Sequence, residues 1–376
     1  MKLTLQIQLL PDTKQAVALR ETLARFNEAA SWLAEKAFEL RSANKIELQQ
    51  LFYADIRKQF NLSAQMTVRC IAQVCEAYKR DKKKLPKFRR TASMPFDQRM
   101  MSFKGIDRVS LLTLQGRVIV PFVMGKYQRE RFTAARGQCD LVLRKDGKWF
   151  LLVTVDLPDR APTPATDFIG VDLGVMRLAT SSDGEHFSGN AVESVRQRYH
   201  ARRQTLQHAA ARRIAKGQRP KAIRRALKRT KMREANFRKH ENHRISKQLV
   251  ELATDTTRGI ALEELKGIRE RARFRKSQRA KMSGWAFSQF RNFIAYKAQL
   301  AGVSLVLVDP RNTSRTCNKC SHCEKANRQT QDKFLCKACG HAAHADENAA
   351  RNIRQRARDS VSILQLSESV GLHKAA

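Results

Sequence analysis

The residues of this chain that could hold a metal begin with its cysteines, five of whose eight lie within residues 317–339. Four of them form two C-x2-C pairs separated by 15 residues: Cys317 and Cys320, then Cys336 and Cys339. Two such pairs can form two tight turns whose four thiolates surround one Zn²⁺ tetrahedrally, which leaves no open coordination position. We therefore predict one structural zinc site. Because C-S-H-C makes a further C-x2-C, His322 or Cys323 could replace one of these ligands.

Three carboxylates stand where apolar strands or a helix begin or end, in a chain with few acids. Asp172 lies in IGVDLG, Glu263 in GIALEEL and Asp346 in HADENAARNI. A charged group in an apolar strand is costly unless it is paired or binds a metal. Taken singly, Asp346 could be a helix N-cap, Glu263 an exposed strand end and Asp172 a hydrogen-bonded core acid.

Taken together, the three acids predict a site for divalent metal ions. Their order along the chain matches a ribonuclease H-like fold, in which a central strand, a neighbouring strand and a C-terminal helix bring one acid each to the same edge. Three such carboxylates repel one another without metal. With metal they can hold two Mg²⁺ ions about 3.5–4 Å apart, which activate water and stabilise the leaving oxygen of a phosphodiester.

The charge of the chain predicts a polyanionic partner. There are 73 Lys and Arg against 35 Asp and Glu, a formal net charge of +38. Nucleic acid is the expected partner because neutralising phosphates releases counterions and drives binding, although a ribosomal or chromatin-type packaging protein would look similar on charge alone. Residues 191–250 carry 19 Lys and Arg against three acids, so we expect this region to contact phosphates.

Periodicity predicts the elements that position these residues. Alternation predicts a strand over 2–10, and apolar residues at helical spacing predict helices over 12–44, 46–60 and 63–82. Residues 108–157 are strand-rich, with turns at QG and DG. These are followed by a hairpin around Asp172 and by helices over 190–254. We then predict strands at 258–265 and 303–310, a helix with aromatic residues from Trp285 to Ala298 between them, and a last helix from about Asn348.

In this order the motifs resemble the TnpB family, the OrfB proteins of bacterial insertion sequences, which are related to the compact type V CRISPR nucleases. The resemblance rests on IGVDLGVMRLAT, IALEELKGI, TSRTCNKC with FLCKACGH, and HADENAARNI, and it covers most of 165–358. One departure is CNKCS, where the family more often has glycine after the second cysteine. This change alters a turn and leaves zinc binding plausible.

The resemblance implies a RuvC-type, Mg²⁺-dependent DNA endonuclease guided by an RNA from the transposon end. It implies that Asp172, Glu263 and Asp346 are the catalytic metal ligands and that the four cysteines bind zinc. The partners it implies are guide RNA and double-stranded target DNA with a short adjacent motif. Basic helices would hold the RNA and the heteroduplex, and base pairing would supply sequence specificity.

The expected architecture is multidomain, with α/β and β parts. It comprises a wedge-like β-barrel (1–10 and 95–160), a helical recognition insertion (11–94), a RuvC-like nuclease domain (165–312 and 343–376) and a zinc ribbon (313–342). A proline-containing linker separates the barrel from the nuclease domain. No apolar run is long enough for a membrane span and the N-terminus lacks a secretory signal, so we expect a bacterial cytoplasmic, nucleoid-associated monomer.

Three alternatives stay open. A nuclease-inactive relative would bind DNA as a repressor, but such relatives lose active-site acids, and all three are present. A compact type V CRISPR effector would use the same chemistry, and genomic neighbours would distinguish it. A conventional DNA-binding transposase fits less well, because the D-E-D spacing here encloses a zinc ribbon.

Overall fold

The computed structural model describes residues 1–132, 138–158, 160–174, 176–265 and 287–372, with side chains as far as residue 362. The chain divides into two compact units, Met1–Pro158 and Asp159–Ala376. Trp285 and the basic segment before it lie outside the described residues. Within the described ranges, the helices are too short or too polar to cross a membrane.

Unit 1 contains one antiparallel sheet. Its strands are β1 Lys2–Leu9, β2 Met94–Phe96, β3 Met101–Lys104, β4 Arg108–Thr113, β5 Gly116–Val123, β6 Cys139–Leu143 and β7 Trp149–Asp156. They are ordered β2-β6-β7-β1-β5-β4-β3, so the N-terminal strand lies in the middle. The turn between β6 and β7 contains Gly147, whose φ of 84° is a conformation that favours glycine.

The edge strands of this sheet show that it curls towards a barrel. In a flat sheet, β2 and β3 would be about 29 Å apart, six strand spacings of about 4.8 Å. They are consecutive in the chain, however, and the five Cα steps from Phe96 to Met101 span at most about 19 Å. The predicted barrel is therefore present as a strongly curved, nearly closed sheet. The short strands β2 and β3 had no clear signal in the sequence.

The helices of unit 1 are α1 Thr13–Glu39, α2 Lys45–Phe60, α3 Ala64–Arg80 and the short α4 Lys126–Arg129. The first three begin where side chains satisfy free backbone N–H groups. Asp12 and Gln15 form a capping box at α1, and Asn44 and Ser63 cap α2 and α3. The apolar faces of α1 to α3 share one hydrophobic core with the sheet.

Unit 2 contains the remaining elements. They are β8 Phe168–Asp172, β9 Arg177–Ser181, β10 His186–Ser188, α5 Asn190–Ala215, α6 Lys221–Asp255, β11 Gly259–Glu263, α7 Phe287–Ala301, β12 Leu305–Val308, β13 Lys333–Leu335, β14 Ala342–His344 and α8 Ala345–Leu372. Five strands form a mixed sheet ordered β10-β9-β8-β11-β12, in which β11 and β12 run parallel to β8. Strands β13 and β14 form a separate hairpin.

The two faces of the mixed sheet are covered by different helices. Ile169 and Val171 of β8 belong to a core with residues of α6 and α7. Phe168, which alternates with them, packs with Ile353 and Ala357 of α8 on the other face. Because every second residue of β8 points to the same face, Asp172 lies on the face of the sheet that α8 covers, together with Phe168.

Helices α5 and α6 form a basic hairpin that is largely exposed. No residue of α5 is buried, and Arg203 of α5 pairs with Glu234 of α6. Only the second half of α6 packs on the sheet, through Ile245, Leu249 and Ala253. The hairpin thus presents most of the arginines and lysines of residues 191–250 to solvent.

Two predicted elements need correction. The last helix begins at Ala345, three residues before the predicted start near Asn348, and the backbone N–H of Ala345 bonds to the carbonyl of Asp332. The apolar run VSLVLV at 303–308 predicts a buried strand, but β12 is an edge strand, and Leu307 is 42% exposed.

Candidate active site and metal centres

Strand alternation brings Asp172 and Glu263 to the same face of the mixed sheet. In the parallel pairing, Val171 lies beside Leu262, so the next residues, Asp172 and Glu263, are neighbours at the carboxyl ends of β8 and β11. Phe168 and Ala261 pack under α8, and because Asp172 lies four residues after Phe168 and Glu263 two residues after Ala261, both acids lie on that face of the sheet. Asp346 lies in the first turn of α8, so the helix N-cap role is excluded for it.

The close approach of α8 to β8 depends on Gly170. A Cβ atom at this position would lie 2.1 Å from the carbonyl oxygen of Ala350 and 2.5 Å from the nitrogen of Arg354. Both atoms belong to the backbone of α8, so they could move only if the whole helix moved. The glycine two residues before Asp172 therefore sets the distance between the strand and the helix that carries Asp346.

The electrostatics of the three acids reflect this proximity. Burial raises the pKa of Asp172 to about 8, and the negative charges of Glu263 and Asp346 add to the shift. Burial also raises the pKa of Glu263 and of Asp346. Carboxyl groups with raised pKa values that share a site are typical of functional centres. The structure thus brings the three predicted acids into one electrostatically coupled group.

Hydrogen bonds join this group to the segment that leads into the first C-x2-C pair. The hydroxyl of Thr313 donates to Oε1 of Glu263, which opposes the rise in the pKa of that carboxyl. Asn352 of α8 donates through Nδ2 to the carbonyls of Thr313 (2.8 Å) and Thr316 (2.7 Å). One buried asparagine therefore connects the helix of Asp346 with the segment that holds Glu263.

The four predicted cysteines form one cluster. The sulfurs of Cys317, Cys320, Cys336 and Cys339 all lie within 4.8 Å of one another. Two of the pairs are 3.8 Å and 3.5 Å apart, close to the roughly 3.8 Å expected for sulfurs placed tetrahedrally at about 2.3 Å from Zn²⁺. The backbone N–H of Cys339 also bonds to the sulfur of Cys336 and lowers the pKa of that thiol. The geometry and the donor set fit zinc.

The two alternative zinc ligands lie outside this cluster. Cys323 is exposed and pairs through its backbone with Thr316. His322 lies 3.2 Å from Glu324 through its Nε2. Among the described residues, only these four cysteines form a group of three or more His, Cys, Asp or Glu residues whose ligand atoms all lie within 4.8 Å of one another. The carboxylates of Asp172, Glu263 and Asp346 are farther apart than this.

The cysteine cluster also fixes the start of α8. Ala345 packs with Cys317, Phe334 and Cys336 in a small core of its own. The side chain of Asn348 accepts from the backbone N–H of Asn318 (3.0 Å) in the first cysteine turn. Asp346 lies between these two contacts, so the position of its carboxylate depends on the ribbon.

Arg328 is a cation of the site that sequence analysis did not single out. It lies between the two cysteine pairs, and its Nη2 is 3.3 Å from Oδ1 of Asp346. Its charge opposes the rise in the pKa of Asp172, Glu263 and Asp346 alike. Its position in a 15-residue spacer between the pairs gave no signal of this contact.

Strand β9 contributes two polar groups that sequence analysis also missed. Thr180 lies directly opposite Asp172, and directly opposite residues share a face of the sheet. Its hydroxyl is buried and has no hydrogen-bond partner among the described residues. Nη1 of Arg177 is likewise without a hydrogen bond there, 3.8 Å from Glu347.

The donor chemistry of the acidic group fits Mg²⁺. Magnesium prefers oxygen ligands, commonly one or two carboxylates with water completing the shell. Three carboxylates with raised pKa values, beside an unpaired hydroxyl, form a set whose ionisation a divalent cation would favour.

Two family models match the chain in the region of these sites. Residues 151–266 match the model described as "Probable transposase" (OrfB_IS605), and residues 287–353 match the "Cas12f1-like, TNB domain" model. The first covers the strands that carry Asp172 and Glu263, and the second covers the cysteine cluster and Asp346. The resemblance to TnpB proteins is thereby confirmed.

Curated relatives agree with these matches. A CRISPR-associated endodeoxyribonuclease Cas12f1 of Sulfoacidibacillus thermotolerans is 30% identical over 69% of this chain and 61% of that protein. A TnpB-like protein of Methanocaldococcus jannaschii is 32% identical over 31% of this chain and 42% of that protein. The chain therefore spans less than two thirds of the length of either relative.

One solved structure supports the fold. The chain is similar to the mini-RNA-guided endonuclease CRISPR-Cas_phi3 with a TM-score of 0.52 and 10% sequence identity, covering 95% of this chain and 92% of that one. At this identity the similarity concerns the fold alone.

Proposed function

We propose that this chain, which resembles TnpB proteins in its motifs and in both family models, is a transposon-associated RNA-guided DNA endonuclease. One observation carries the proposal. Asp172 and Glu263 lie side by side at the ends of two strands of the mixed sheet, and Asp346 in the first turn of α8 is close enough for its charge to raise the pKa of Asp172, an arrangement that would suit a RuvC-like nuclease domain. Carboxylates in this arrangement are suited to metal-dependent hydrolysis of a phosphodiester.

The residues of the chain would divide the work as follows. Asp172, Glu263 and Asp346 would hold two Mg²⁺ ions, which when bound supply an activated water and stabilise the leaving oxygen. Thr313 orients the carboxylate of Glu263 through its hydroxyl. Arg328 limits the repulsion between the acids and offers a cation to the scissile phosphate.

The basic surface would hold the guide. The exposed hairpin of α5 and α6 is suited to an RNA or an RNA–DNA heteroduplex, because its arginines and lysines can contact phosphates without reading sequence. Sequence would be selected by base pairing with the guide. We assign recognition of a short target-adjacent motif to unit 1, and we expect the protein to act as a monomer at the bacterial nucleoid.

A compact type V CRISPR effector is the second candidate, favoured by the match of residues 287–353 to a Cas12f1-like domain. Its chemistry would be the same, and its guide would come from a CRISPR array in place of a transposon end. A nuclease-inactive repressor is the third candidate, and cleavage itself would exclude it.

The experiment is to purify the protein from cells that carry its native locus and to sequence the RNA that co-purifies. The proposal predicts one RNA species ending in a segment that matches the flank of the transposon. The loaded protein should then cut a plasmid containing that segment beside a randomised motif, and only in the presence of Mg²⁺. Heterogeneous RNA with no activity on matched DNA would contradict the proposal.

A further inference from the structure

The segment of unit 1 that joins α3 to β2, residues 81–93, is strongly basic. It reads DKKKLPKFRRTAS and contains six Lys and Arg against one acid, Asp81. We call it the α3–β2 segment. All six of its basic residues are exposed: Lys82, Lys83, Lys84, Lys87, Arg89 and Arg90.

The α3–β2 segment is held in place although it is neither helix nor strand. Leu85 and Phe88 are half-buried and pack against the core of unit 1. The hydroxyl of Ser31 in α1 donates to the carbonyl of Phe88 (3.1 Å), and the buried Asn27 donates through Nδ2 to the carbonyl of Ala92 (2.9 Å). These contacts fix the path of the backbone before any partner binds, which lowers the entropic cost of binding one.

Most of the positive charge on the α3–β2 segment is not neutralised by the protein itself. Lys84 pairs with Asp81 at 2.7 Å, and Arg90 pairs with Glu28 at 2.8 Å. The other four basic side chains repel one another, because the anchored backbone keeps them close in space. They make no hydrogen bond or ion pair to any described residue: Lys82, Lys83, Lys87 and Arg89. A polyanion would relieve this repulsion.

The exposed side chains of the segment favour a nucleic acid over a membrane or a protein as that polyanion. Its large apolar side chains, Leu85 and Phe88, pack against the core of unit 1. Binding to a lipid surface needs apolar side chains that enter it, and the centre of a protein interface is rich in apolar and aromatic groups. Contacts to phosphates need only exposed cations, and each contact releases counterions from the nucleic acid.

We propose that the α3–β2 segment binds the sugar-phosphate backbone of a nucleic acid through Lys82, Lys83, Lys87 and Arg89. This contact is additional to that of the α5–α6 hairpin, which belongs to unit 2. It does not depend on sequence, because every nucleotide carries the same phosphate. The inference rests on the proposed function only in taking nucleic acid as the partner. The backbone belongs to the guide RNA or to the target DNA, and the chemistry of the contact is the same for both.

The first test is the salt dependence of binding to two probes, a poly(U) RNA strand and a DNA duplex of mixed sequence. Each phosphate contact contributes about 0.7 to 0.9 to the slope of log K against log salt concentration. In the segment variant, Lys82, Lys83, Lys87 and Arg89 are all replaced by glutamine. Its slope should be shallower than that of wild type by about 3 for at least one probe, because four contacts are lost. It should melt no lower than wild type, since like charges have been removed.

The control variant removes the same net charge elsewhere on the surface of unit 1. It combines four substitutions at exposed lysines: Lys14→Gln, Lys58→Gln, Lys104→Gln and Lys145→Gln. It therefore separates a local contact from the general attraction between a cationic protein and nucleic acid. Its slope should stay close to that of wild type. A segment variant with the wild-type slope for both probes, or an equal loss of slope in the two variants, would overturn the proposal.

The second test uses the unchanged protein and identifies the source of the backbone. Lysines are acetylated with limiting reagent in the protein alone, in its complex with the RNA that co-purifies, and in that complex with matched DNA but no divalent metal. Mass spectrometry then compares Lys82, Lys83 and Lys87 with Lys145. Protection of the three on adding RNA would assign the contact to the guide, and protection only on adding DNA would assign it to the target. If the three lysines react equally in all states, the proposal is wrong.

Neither test measures cleavage, and the poly(U) and duplex probes need no guide. A failure of this proposal is therefore separate from a failure of the proposed nuclease.

Discussion

The hydroxyl of Thr313 donates a hydrogen bond to the carboxylate of Glu263, 50 residues earlier in the chain. The carbonyl of Thr313 also accepts a hydrogen bond from Asn352 of α8. One residue therefore links Glu263 of the sheet to the helix that carries Asp346. The link stabilises the ionised form of Glu263, whose pKa burial would otherwise raise further.

Thr313→Val should therefore impair cleavage in a pH-dependent way. Valine has the shape of threonine but cannot donate a hydrogen bond to Glu263, so the pKa of Glu263 rises. As the pH falls, the carboxylate of the variant is therefore protonated at a higher pH than that of the wild type. The acid limb of the cleavage profile should move to higher pH, with a loss of about tenfold near neutrality. Thr313→Ser should retain the wild-type profile. Identical profiles for the valine and serine variants would contradict this role.

Asp172→Asn should stabilise the protein when no divalent cation is added. A carboxyl whose pKa in the folded protein lies near 8, well above its ordinary value, favours folding while it is protonated, and this contribution is lost as the pH rises from that ordinary value through 8. The variant should thus melt a few degrees above wild type at pH 8.5 and close to it at pH 4. Added Mg²⁺ should raise the melting temperature of wild type alone. A variant that melts below wild type at pH 8.5 would argue against a strained Asp172.

Gly170→Ala should separate α8 from β8. The new Cβ would meet the helix backbone at 2.1 Å, and overpacking of this kind costs about 1–3 kcal/mol. We expect cleavage to fall far more than guide RNA binding, because Asp346 moves while the basic hairpin does not. Gly125→Ala is the matched control, since its Cβ would meet only the flexible end of Gln128. Wild-type cleavage by Gly170→Ala would show that the helix tolerates the shift.

Cys336→Ser should couple zinc content to cleavage. Only six residues separate Cys339 from Asp346, and the cysteine cluster packs on Ala345 at the start of α8. Loss of zinc should disorder that start, because metal binding and local folding are linked. Mass spectrometry should find no zinc in Cys336→Ser, and this variant should lose cleavage but retain guide RNA binding. The control variant Cys323→Ser should keep both its zinc and its cleavage activity. A zinc-free Cys336→Ser that cuts normally would make the ribbon an independent module.

The sequence predicted the parts of the site that follow from local rules. The apolar residues around Asp172 predicted the strand that carries it, and the paired C-x2-C spacing identified the four clustered cysteines. Thr313 is the first residue of the motif TSRTCNKC, yet no periodicity indicated that its hydroxyl would contact Glu263. Arg328 was unpredictable for the same reason, because its contact with Asp346 depends on how the ribbon folds back.

Fold elements were missed where they depend on pairing partners. Strands β2 and β3 are only three and four residues long and are stabilised by β6 and β4 beside them. Helix α8 begins earlier than its pattern suggests, at Ala345, whose backbone N–H bonds to the carbonyl of Asp332. The roles of Asp172, Glu263 and Asp346 in catalysis, and the domain boundaries, stay predictions.

The most direct measurement compares target binding and cleavage by the guide-loaded protein and its Asp172→Ala variant in Mg²⁺. If Asp172 is a metal ligand of a nuclease, the variant should bind matched DNA with wild-type affinity and show no cleavage, because the basic surface is unchanged. Glu263→Ala and Asp346→Ala should behave alike, and Glu264→Ala, whose side chain is exposed, should cut normally. Cleavage by Asp172→Ala at the wild-type rate, or binding lost together with cleavage, would contradict the account.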